Sequence, residues 1–392
     1  MDSGKKIIYL DNNATTPIDE RVLEAMMPYL TTNYANANST HKFGVEAYEA
    51  VKLARSKIAD LIGSETSEVI FTSGSTEAIN LAIKGVAENY FSKGKHIITV
   101  ATEHPAILDT CKYLESRGYR VTYLSVRSDG LIDLSELRNA LKEETILVSV
   151  MLANNETGVL QPIKEVAALS HSAGAIFMTD ATQAIGKIPV NIDESGIDLM
   201  CISGHKLYAP KGIGALFIRQ RNNRIKIPAL LHGGGHERGI RSGTLNVPGI
   251  VALGVAGDLA KKEMISTSRK VADLRNLLED KLLSIENTRI NGNKEQRLFN
   301  TLNICFQGVD SDALIMGLSN PEDEFPMIAI SNGSACTSSS IEPSHVLTAM
   351  GLNENDAFSS IRISLGKQNT RAEIEITIEA IKKRVKELKN MI

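Results

Sequence analysis

A single cysteine in an unusual setting raises the first chemical question about this chain of 392 residues. Cys336 lies in the stretch ISNGSACTSSS (330–340), where glycine, alanine and serine provide neither an apolar core nor a helical pattern. No other cysteine is near enough in sequence to suggest a metal knuckle. The thiol is therefore either an ordinary surface cysteine or a nucleophile on a loop that has to move.

Three further motifs carry polar side chains directly after predicted strands. In FTSGSTEAINLAI, Gly74 permits a tight turn, and Ser75 and Thr76 open a helix whose free N–H groups could hold a phosphate. Serine and threonine also cap helices of every kind, so this signal is weak when taken alone. Asp180 in TDATQ and Lys206 in SGHKLYAPKG follow apolar strands; the alternatives are a helix cap and a surface lysine.

Together the three motifs fit the chemistry of pyridoxal phosphate. Ligands of open α/β sheets collect at the carboxyl ends of the strands, where all three motifs are expected to lie. The helix end would bind the phosphate, Asp180 would face the ring nitrogen, and Lys206 would bond the aldehyde. The combination is more specific than any one motif.

Strand-like and helix-like segments alternate from about residue 43 to 260. We predict strands at 69–72, 96–101, 146–151, 176–179, 199–203 and 214–218, with helices between several of them, such as 76–90. This alternation predicts an α/β fold whose mostly parallel central sheet has helices on both faces. A long helix is expected over 247–284. After it come strand-like segments at 301–306 and 361–364 and a charged final helix, which predict a smaller C-terminal α+β domain. We therefore expect a large cofactor-binding domain over 16–261. The small domain is expected over 1–15 and 262–392, with a mobile cysteine loop at about 331–341.

Composition excludes several classes of protein. The formal net charge of −3 argues against a surface built for nucleic acid. The start of the chain has no apolar signal core, and no apolar run approaches the ~18 residues of a membrane span. The expectation is a soluble, cytoplasmic protein without membrane contact.

Metal chemistry is not expected. The stretch HGGGHER has histidines four residues apart, but three intervening glycines cannot maintain the helix that such a zinc site needs. Cys111, Cys201 and Cys305 lie in helix or strand patterns and are expected to be small core residues.

The ordered set of motifs resembles one enzyme group. DNNATTP, FTSGSTEAINLAIKG, TEHPAILDTC, NNETG, DATQAIGKIPV, SGHKLYAPKGIGAL, GGGHERGIRSGT and SNGSACTSSS occur in that order, from about Tyr9 to the final helix. They resemble the cysteine desulfurases of the NifS/IscS group, in the class V aminotransferase family of pyridoxal-phosphate enzymes. The resemblance implies a fold-type I enzyme that converts L-cysteine to L-alanine and keeps the sulfur as a persulfide.

The resemblance also implies roles for individual residues. Lys206 would hold the cofactor covalently, His104 would stack on its ring and assist proton transfer, and Cys336 would be the nucleophile. Asp180 matches the partner of the ring nitrogen, and Arg362 matches the arginine that grips the substrate carboxylate. The remaining matches surround the ring hydroxyl (Asn155, Gln183) or the phosphate (Ser75, Thr76, Ser203, His205, and Thr244 from the neighbouring subunit).

Partners and alternatives remain open at this stage. Thr244 implies a homodimer, and the persulfide implies a sulfur-acceptor protein. Iron–sulfur cluster assembly, transfer-RNA thiolation and DNA phosphorothioation all draw on such enzymes, so the acceptor is undetermined. The segment 319–330 is longer than its counterpart in the housekeeping enzymes of the group. The alternatives are selenocysteine lysis, another class V reaction such as transamination, and a catalytically silent assembly partner, which would have lost cofactor residues that this chain retains.

Overall fold

The computed structural model describes residues 7–221, 224–320, 322–332 and 342–390. Within them the strands are β1 (Ile8–Tyr9), β2 (Val69–Thr72), β3 (His96–Val100), β4 (Arg120–Leu124), β5 (Thr145–Ser149), β6 (Ile176–Asp180), β7 (Leu199–Ser203), β8 (Gly214–Ile218), β9 (Thr288–Ile290), β10 (Thr301–Phe306), β11 (Ile328–Ala329) and β12 (Ser360–Ser364). The helices are α1 (Glu20–Thr31), α2 (Lys42–Ile62), α3 (Ser75–Tyr90), α4 (Pro105–Ser116), α5 (Leu134–Ala140), α6 (Ile163–Ser172), α7 (Val247–Leu282), α8 (Ser311–Leu318), α9 (His345–Ala349), α10 (Glu354–Phe358) and α11 (Arg371–Lys389). No helix in this described part is long and apolar enough to cross a membrane.

The central sheet has seven strands in the order β2-β8-β7-β6-β5-β3-β4. Strands β7, β6, β5, β3 and β4 run parallel, whereas β8 is antiparallel to both of its neighbours. All residues of β5, β6 and β7 are buried, as expected for strands covered on both faces. The α/β fold with a mostly parallel central sheet is therefore confirmed.

Alternate strand residues enter two separate cores, because successive side chains of a strand point to opposite faces. Phe71, Ile98, Val148, Phe177 and Met200 pack with residues of α2, α6 and the first half of α7. Their sequence neighbours in the same strands pack instead against α3 and α4 (Ile70, Ile97, Leu147, Met178, Cys201). Helices thus cover both faces of the sheet.

A third core lies in the C-terminal part of the chain. The antiparallel sheet β12-β10-β9 packs against α11 and the second half of α7. Ile8 and Leu10 join this core, and β1 pairs in parallel with β11. The N-terminal residues therefore pack with the C-terminal third of the chain.

The long segment 319–330 is attached to α11 and β1. Asp323 forms an ion pair with Arg384, and the carboxylate of Glu324 lies 2.6 Å from the amine of Lys383. At the end of the segment, Ile328 and Ala329 form the strand that pairs with β1. Acidic side chains of this segment thus contact the final helix of the protein itself.

Candidate active site

A cavity of about 300 Å³ opens at the carboxyl ends of the parallel strands. Nine of the residues singled out in the sequence line it: Ser75, Thr76, His104, Asn155, Asp180, Gln183, His205, Lys206 and Arg362. They come from loops, strands and the first turn of α3, and the first and last of them are almost 290 positions apart in the chain. The size of the cavity is at the lower end of the range for small-molecule sites.

One end of the cavity is the N-terminus of α3. Its N-cap is Gly74, which has a φ of 151° and no side chain that could accept hydrogen bonds from the first turn. A Cβ at Gly74 would lie 3.8 Å from the hydroxyl of Ser203, so this buried serine is adjacent to the helix end. With the hydroxyls of Ser75 and Thr76, the free N–H groups and positive dipole of the helix could hold an anion.

His205 contributes to this end as a neutral group. Burial, together with the positive charges of Lys206 and Lys211, lowers the pKa of His205 to about 4. The ring is therefore uncharged at neutral pH, with Nδ1 3.2 Å from the Thr15 hydroxyl. It can donate or accept a hydrogen bond there without adding a second charge.

Lys206 lies in the short turn Gly204–Lys206 that directly follows β7. Its Nζ donates hydrogen bonds to the backbone carbonyls of Asn13, at 2.5 Å, and Ala14. Burial lowers the pKa of Lys206 to about 8, the charge of Arg362 lowers it too, and Asp11 and Asp180 oppose these effects. An appreciable fraction of the amine is thus neutral near pH 7, as a nucleophile or proton acceptor must be.

Asp180 and His104 line the same cavity, and the charge of Asp180 acts on the His104 ring. Asp180 ends β6, is only 6% exposed, and accepts a hydrogen bond from the backbone N–H of Thr182 at 2.9 Å. His104 is the N-cap of α4, and its Nδ1 accepts from the N–H of Ala106 at 3.1 Å. The neutral ring therefore carries its proton on Nε2. Burial lowers the pKa of His104, and Asp180 opposes that shift.

Arg362 also lines the cavity and offers a guanidinium. It belongs to β12, is 4% exposed, and donates from Nη2 to Asp11 at 2.7 Å and from Nη1 to the carbonyl of Asn155 at 3.2 Å. Its Nε has no hydrogen-bond partner among the described residues. The two hydrogen bonds from Nη1 and Nη2 fix the orientation of the planar guanidinium, and a guanidinium of fixed orientation suits the binding of a carboxylate.

Thr244 is not brought into this cavity by its own chain. It lies exposed on the segment 229–246, which is fixed by two ion pairs. Glu237 binds Arg55 through both oxygens at 2.7 Å, and Arg241 contacts Glu77 of α3 at 2.7 Å. The ion pair with α3 keeps this segment near the anion-binding end of the cavity.

Cys336 lies outside the described residues, so its expected position stays a prediction. The described residues on either side of its segment contact the cavity walls. Ser331 exchanges backbone hydrogen bonds with Arg362, and Ser344 donates one to the buried carboxylate of Glu156. Described residues on both sides of Cys336 in the sequence are thus close to this cavity.

Sequence reasoning missed part of the cavity wall. Asn13 and Ala14 line it, and Asp11 contacts Arg362, although no residue of DNNATTP received a role. Lys187, whose Nζ donates to Gln183 at 2.9 Å, was also missed. Its position four residues after Gln183 is the only sequence signal that could have identified it.

Comparisons with known proteins give a consistent result. The family model described as aminotransferase class-V matches residues 8–376. A curated relative from Pasteurella multocida, cysteine desulfurase IscS, is 52% identical over 387 residues, which cover 98% of this chain and 94% of the relative. Among solved structures, a NifS-like protein superimposes with a TM-score of 0.89 at 38% identity, covering 97% of this chain and 99% of that one. A structure described as SspA in complex with cysteine has a TM-score of 0.80 at 37% identity, with coverages of 93% and 100%.

Proposed function

The chain belongs to the aminotransferase class-V family and is a cysteine desulfurase, and we propose that the cavity at Lys206 is its active site. The observation that carries this proposal is the convergence of nine sequence-predicted residues on one cavity. Its cofactor would be pyridoxal phosphate, its substrate L-cysteine, and its sulfur-accepting nucleophile Cys336. The aminotransferase class-V family implies this cofactor, and the chemistry of the cavity supports it.

The polar groups in and around the cavity fit each part of pyridoxal phosphate. The N-terminus of α3 with Ser75 and Thr76 suits the phosphate, and Ser203 and His205 lie beside it. Lys206, whose pKa is about 8, suits covalent attachment of the aldehyde. Asp180 would face the ring nitrogen, His104 would stack on the ring, and Asn155 and Gln183 would lie around the ring hydroxyl. When bound, the cofactor supplies a covalent site for amino groups and an electron-withdrawing ring.

The residues of the chain then have distinct tasks. Arg362 orients the substrate through its carboxylate, and the amine of Lys206 takes the proton from the substrate Cα. His104 can donate a hydrogen bond from its Nε2–H within the cavity, and once protonated by the substrate or by Lys206 it can pass a proton on. The Cys336 thiolate forms a sulfur–sulfur bond as the carbon–sulfur bond of the substrate breaks. The substrate carbon keeps the electron pair of the broken carbon–sulfur bond and takes up a proton, and Cα regains one from Lys206. The substrate thus leaves as L-alanine, and Cys336 retains one additional sulfur atom.

The sulfur acceptor is a further protein, which would receive the sulfur from the Cys336 persulfide. Scaffold proteins of iron–sulfur cluster assembly, thiolation enzymes and components of DNA phosphorothioation remain the candidates. We also propose a reducing, cytoplasmic location, since Cys111, Cys201 and Cys305 are free and buried and the Cys336 thiol must stay reduced between cycles. A large domain over 16–261 and a small one over 1–15 and 262–392 remain our proposed division.

Replacement of Arg362 by lysine is expected to weaken substrate binding without loss of the cofactor. Lysine keeps one positive charge but loses the planar fork, and a charge-assisted hydrogen bond contributes about 1.5–3 kcal/mol. The Michaelis constant for cysteine should therefore rise about tenfold or more. Initial rates across a range of cysteine concentrations measure this, with Arg371→Lys on an exposed ion pair as the matched control. An unchanged cysteine dependence would show that another group binds the carboxylate.

A homodimer would complete the phosphate site. Thr244 is exposed in the single chain, although its segment is attached to the anion-binding helix end through Arg241. The same segment shares a cavity of about 710 Å³ with α2, lined by Tyr48, Leu53 and Leu245 among others. Other large apolar side chains are also exposed. They lie on α1 (Leu23, Met27, Leu30) and on this segment (Leu230, Leu231). An exposed apolar surface of this kind is typical of an interface.

A hybrid dimer tests whether Thr244 acts on the partner subunit. A Lys206→Ala chain and a Thr244→Ala chain, each with its own affinity tag, are purified as one hybrid. We expect its single lysine-bearing site to bind pyridoxal phosphate with wild-type affinity, because that site takes Thr244 from the other chain. If the cofactor affinity equals that of the Thr244→Ala homodimer, the threonine serves its own subunit. A monomer with full activity would also contradict the proposal.

A further inference from the structure

Lys187 is an amine inside the fold for which the reaction outlined above has no use. It is partly buried, and its Nζ donates to the side-chain oxygen of Gln183 at 2.9 Å. Burial, together with the charges of Lys206 and Arg362, lowers the pKa of Lys187 to about 7. Burial of a charged amine near other cations costs free energy, so we expect Lys187 to have a role that offsets this cost.

The hydrogen bonds around Gln183 fix which way its amide points. An amine carries hydrogens, so the atom 2.9 Å from Lys187 has to be the amide oxygen. A backbone carbonyl only accepts, so the atom 2.9 Å from the carbonyl of Asn13 has to be the amide nitrogen. Both contacts require the same orientation, and a flipped amide would place oxygen against oxygen and nitrogen against amine.

Asn13, whose carbonyl determines this orientation, is itself held rigidly. Asn13 is 1% exposed, and its side-chain nitrogen donates to the hydroxyl of Thr301 at 2.9 Å and to the carbonyl of Asn155 at 3.1 Å. Its side-chain oxygen accepts from Asn300 at 3.2 Å and, at 3.5 Å, from Nζ of Lys187 itself. The carbonyl of Asn13 that receives Gln183 also receives Lys206. This acceptor cannot turn away without breaking several buried hydrogen bonds.

Gln183 lines the cavity, and one hydrogen of its amide nitrogen is not used by Asn13. On the proposed function, Gln183 lies around the hydroxyl of the cofactor ring. We propose that Lys187 is a positioning residue, which holds the Gln183 amide so that it presents an N–H group, and not its oxygen, to that ring hydroxyl. An N–H donor favours the ionised form of a ring oxygen over the protonated form. Lys187 would thus act on the cofactor through Gln183, without touching it.

Replacement of Lys187 by methionine tests this inference, since methionine has similar length and no donor. The Asn13 carbonyl alone then holds the amide, so the flipped orientation costs less free energy and the ionised ring oxygen has an N–H donor less of the time. The pH titration of the visible absorption band of the bound cofactor should shift upward by about one pH unit. The dissociation constant of pyridoxal phosphate for the apoprotein should rise about fivefold, the factor that corresponds to ~1 kcal/mol. Lys164→Met, on the exposed face of α6, should leave both quantities unchanged.

A double variant separates positioning from a simple effect of charge. Gln183→Leu should show the same shifts as Lys187→Met, and adding Lys187→Met to Gln183→Leu should cause no further change in either quantity. If the two changes add, Lys187 acts through space and the inference is wrong. If Lys187→Met leaves the titration of a normally loaded enzyme unchanged, it is wrong as well. A wild-type protein that binds no pyridoxal phosphate would instead contradict the proposed function on which the inference rests.

Discussion

Replacement of Cys336 by serine is expected to abolish sulfur transfer while leaving the cofactor site intact. A cysteine with an unperturbed pKa near 8.5 is a few per cent thiolate at neutral pH, whereas a serine hydroxyl is essentially un-ionised. Loss of a nucleophile typically costs several orders of magnitude, so sulfide release in the presence of a reductant should fall by about a thousandfold or more. Bound pyridoxal phosphate should be retained, and cysteine should still change its visible absorption.

Cys305→Ala provides the matched control for this variant. Cys305 is fully buried in β10, where its thiol contacts the backbone of Asp356 at 3.4 Å, and it has no route to substrate. We expect that variant to release sulfide at close to the wild-type rate. Wild-type rates from Cys336→Ser would contradict the assigned role of the thiol.

Replacement of Lys206 by alanine should remove both covalent attachment of the cofactor and turnover. In the wild-type protein, borohydride should fix a pyridoxyl group to Lys206, and digestion followed by mass spectrometry should locate it there. In Lys206→Ala no such group should form at this position, because the amine that lies on the carbonyls of Asn13 and Ala14 is missing. Turnover should fall by about a thousandfold, the range expected when a proton-transfer group is lost.

The fold of Lys206→Ala should survive, because removal of a buried amine relieves a desolvation cost instead of creating one. Thermal unfolding of the apoprotein measures this, and we expect a midpoint close to that of the wild type. Lys211→Ala, on an exposed lysine five residues further along the same motif, is the control for activity. Full turnover in Lys206→Ala would refute the assignment of the active site.

The sequence predicted the central strands closely because their signal is local. Strands β2, β7 and β8 begin and end at the predicted residues, and β6 is longer than predicted by one residue, Asp180. Short apolar runs bounded by glycine and polar residues identify buried parallel strands without further information. The edge strand β4 was missed, since its pattern of partly exposed residues is not distinctive.

Contacts between distant parts of the chain could not be predicted in the same way. The pairing of Asp11 with Arg362 joins residues 351 positions apart, and the carbonyl of Asn13 serves two residues about 170 and 190 positions later. Such contacts depend on how β1 enters the C-terminal core, which no local pattern encodes. Ser75, Thr76, Asp180 and Lys206 could be identified locally, because each stands at the end of a strand or the start of a helix, where ligands of such sheets bind. The other site residues were not identified by a local signal and were assigned through the family resemblance.

The most direct measurement is the location of sulfur after a single turnover. Stoichiometric cysteine labelled with heavy sulfur is mixed with loaded enzyme without reductant, and the products are digested and analysed by mass spectrometry. We predict one labelled sulfur atom on the peptide that contains Cys336 and one molecule of alanine per active site. Label on Cys111, Cys201 or Cys305, or pyruvate in place of alanine, would contradict the assignment of Cys336 as the residue that takes sulfur from cysteine.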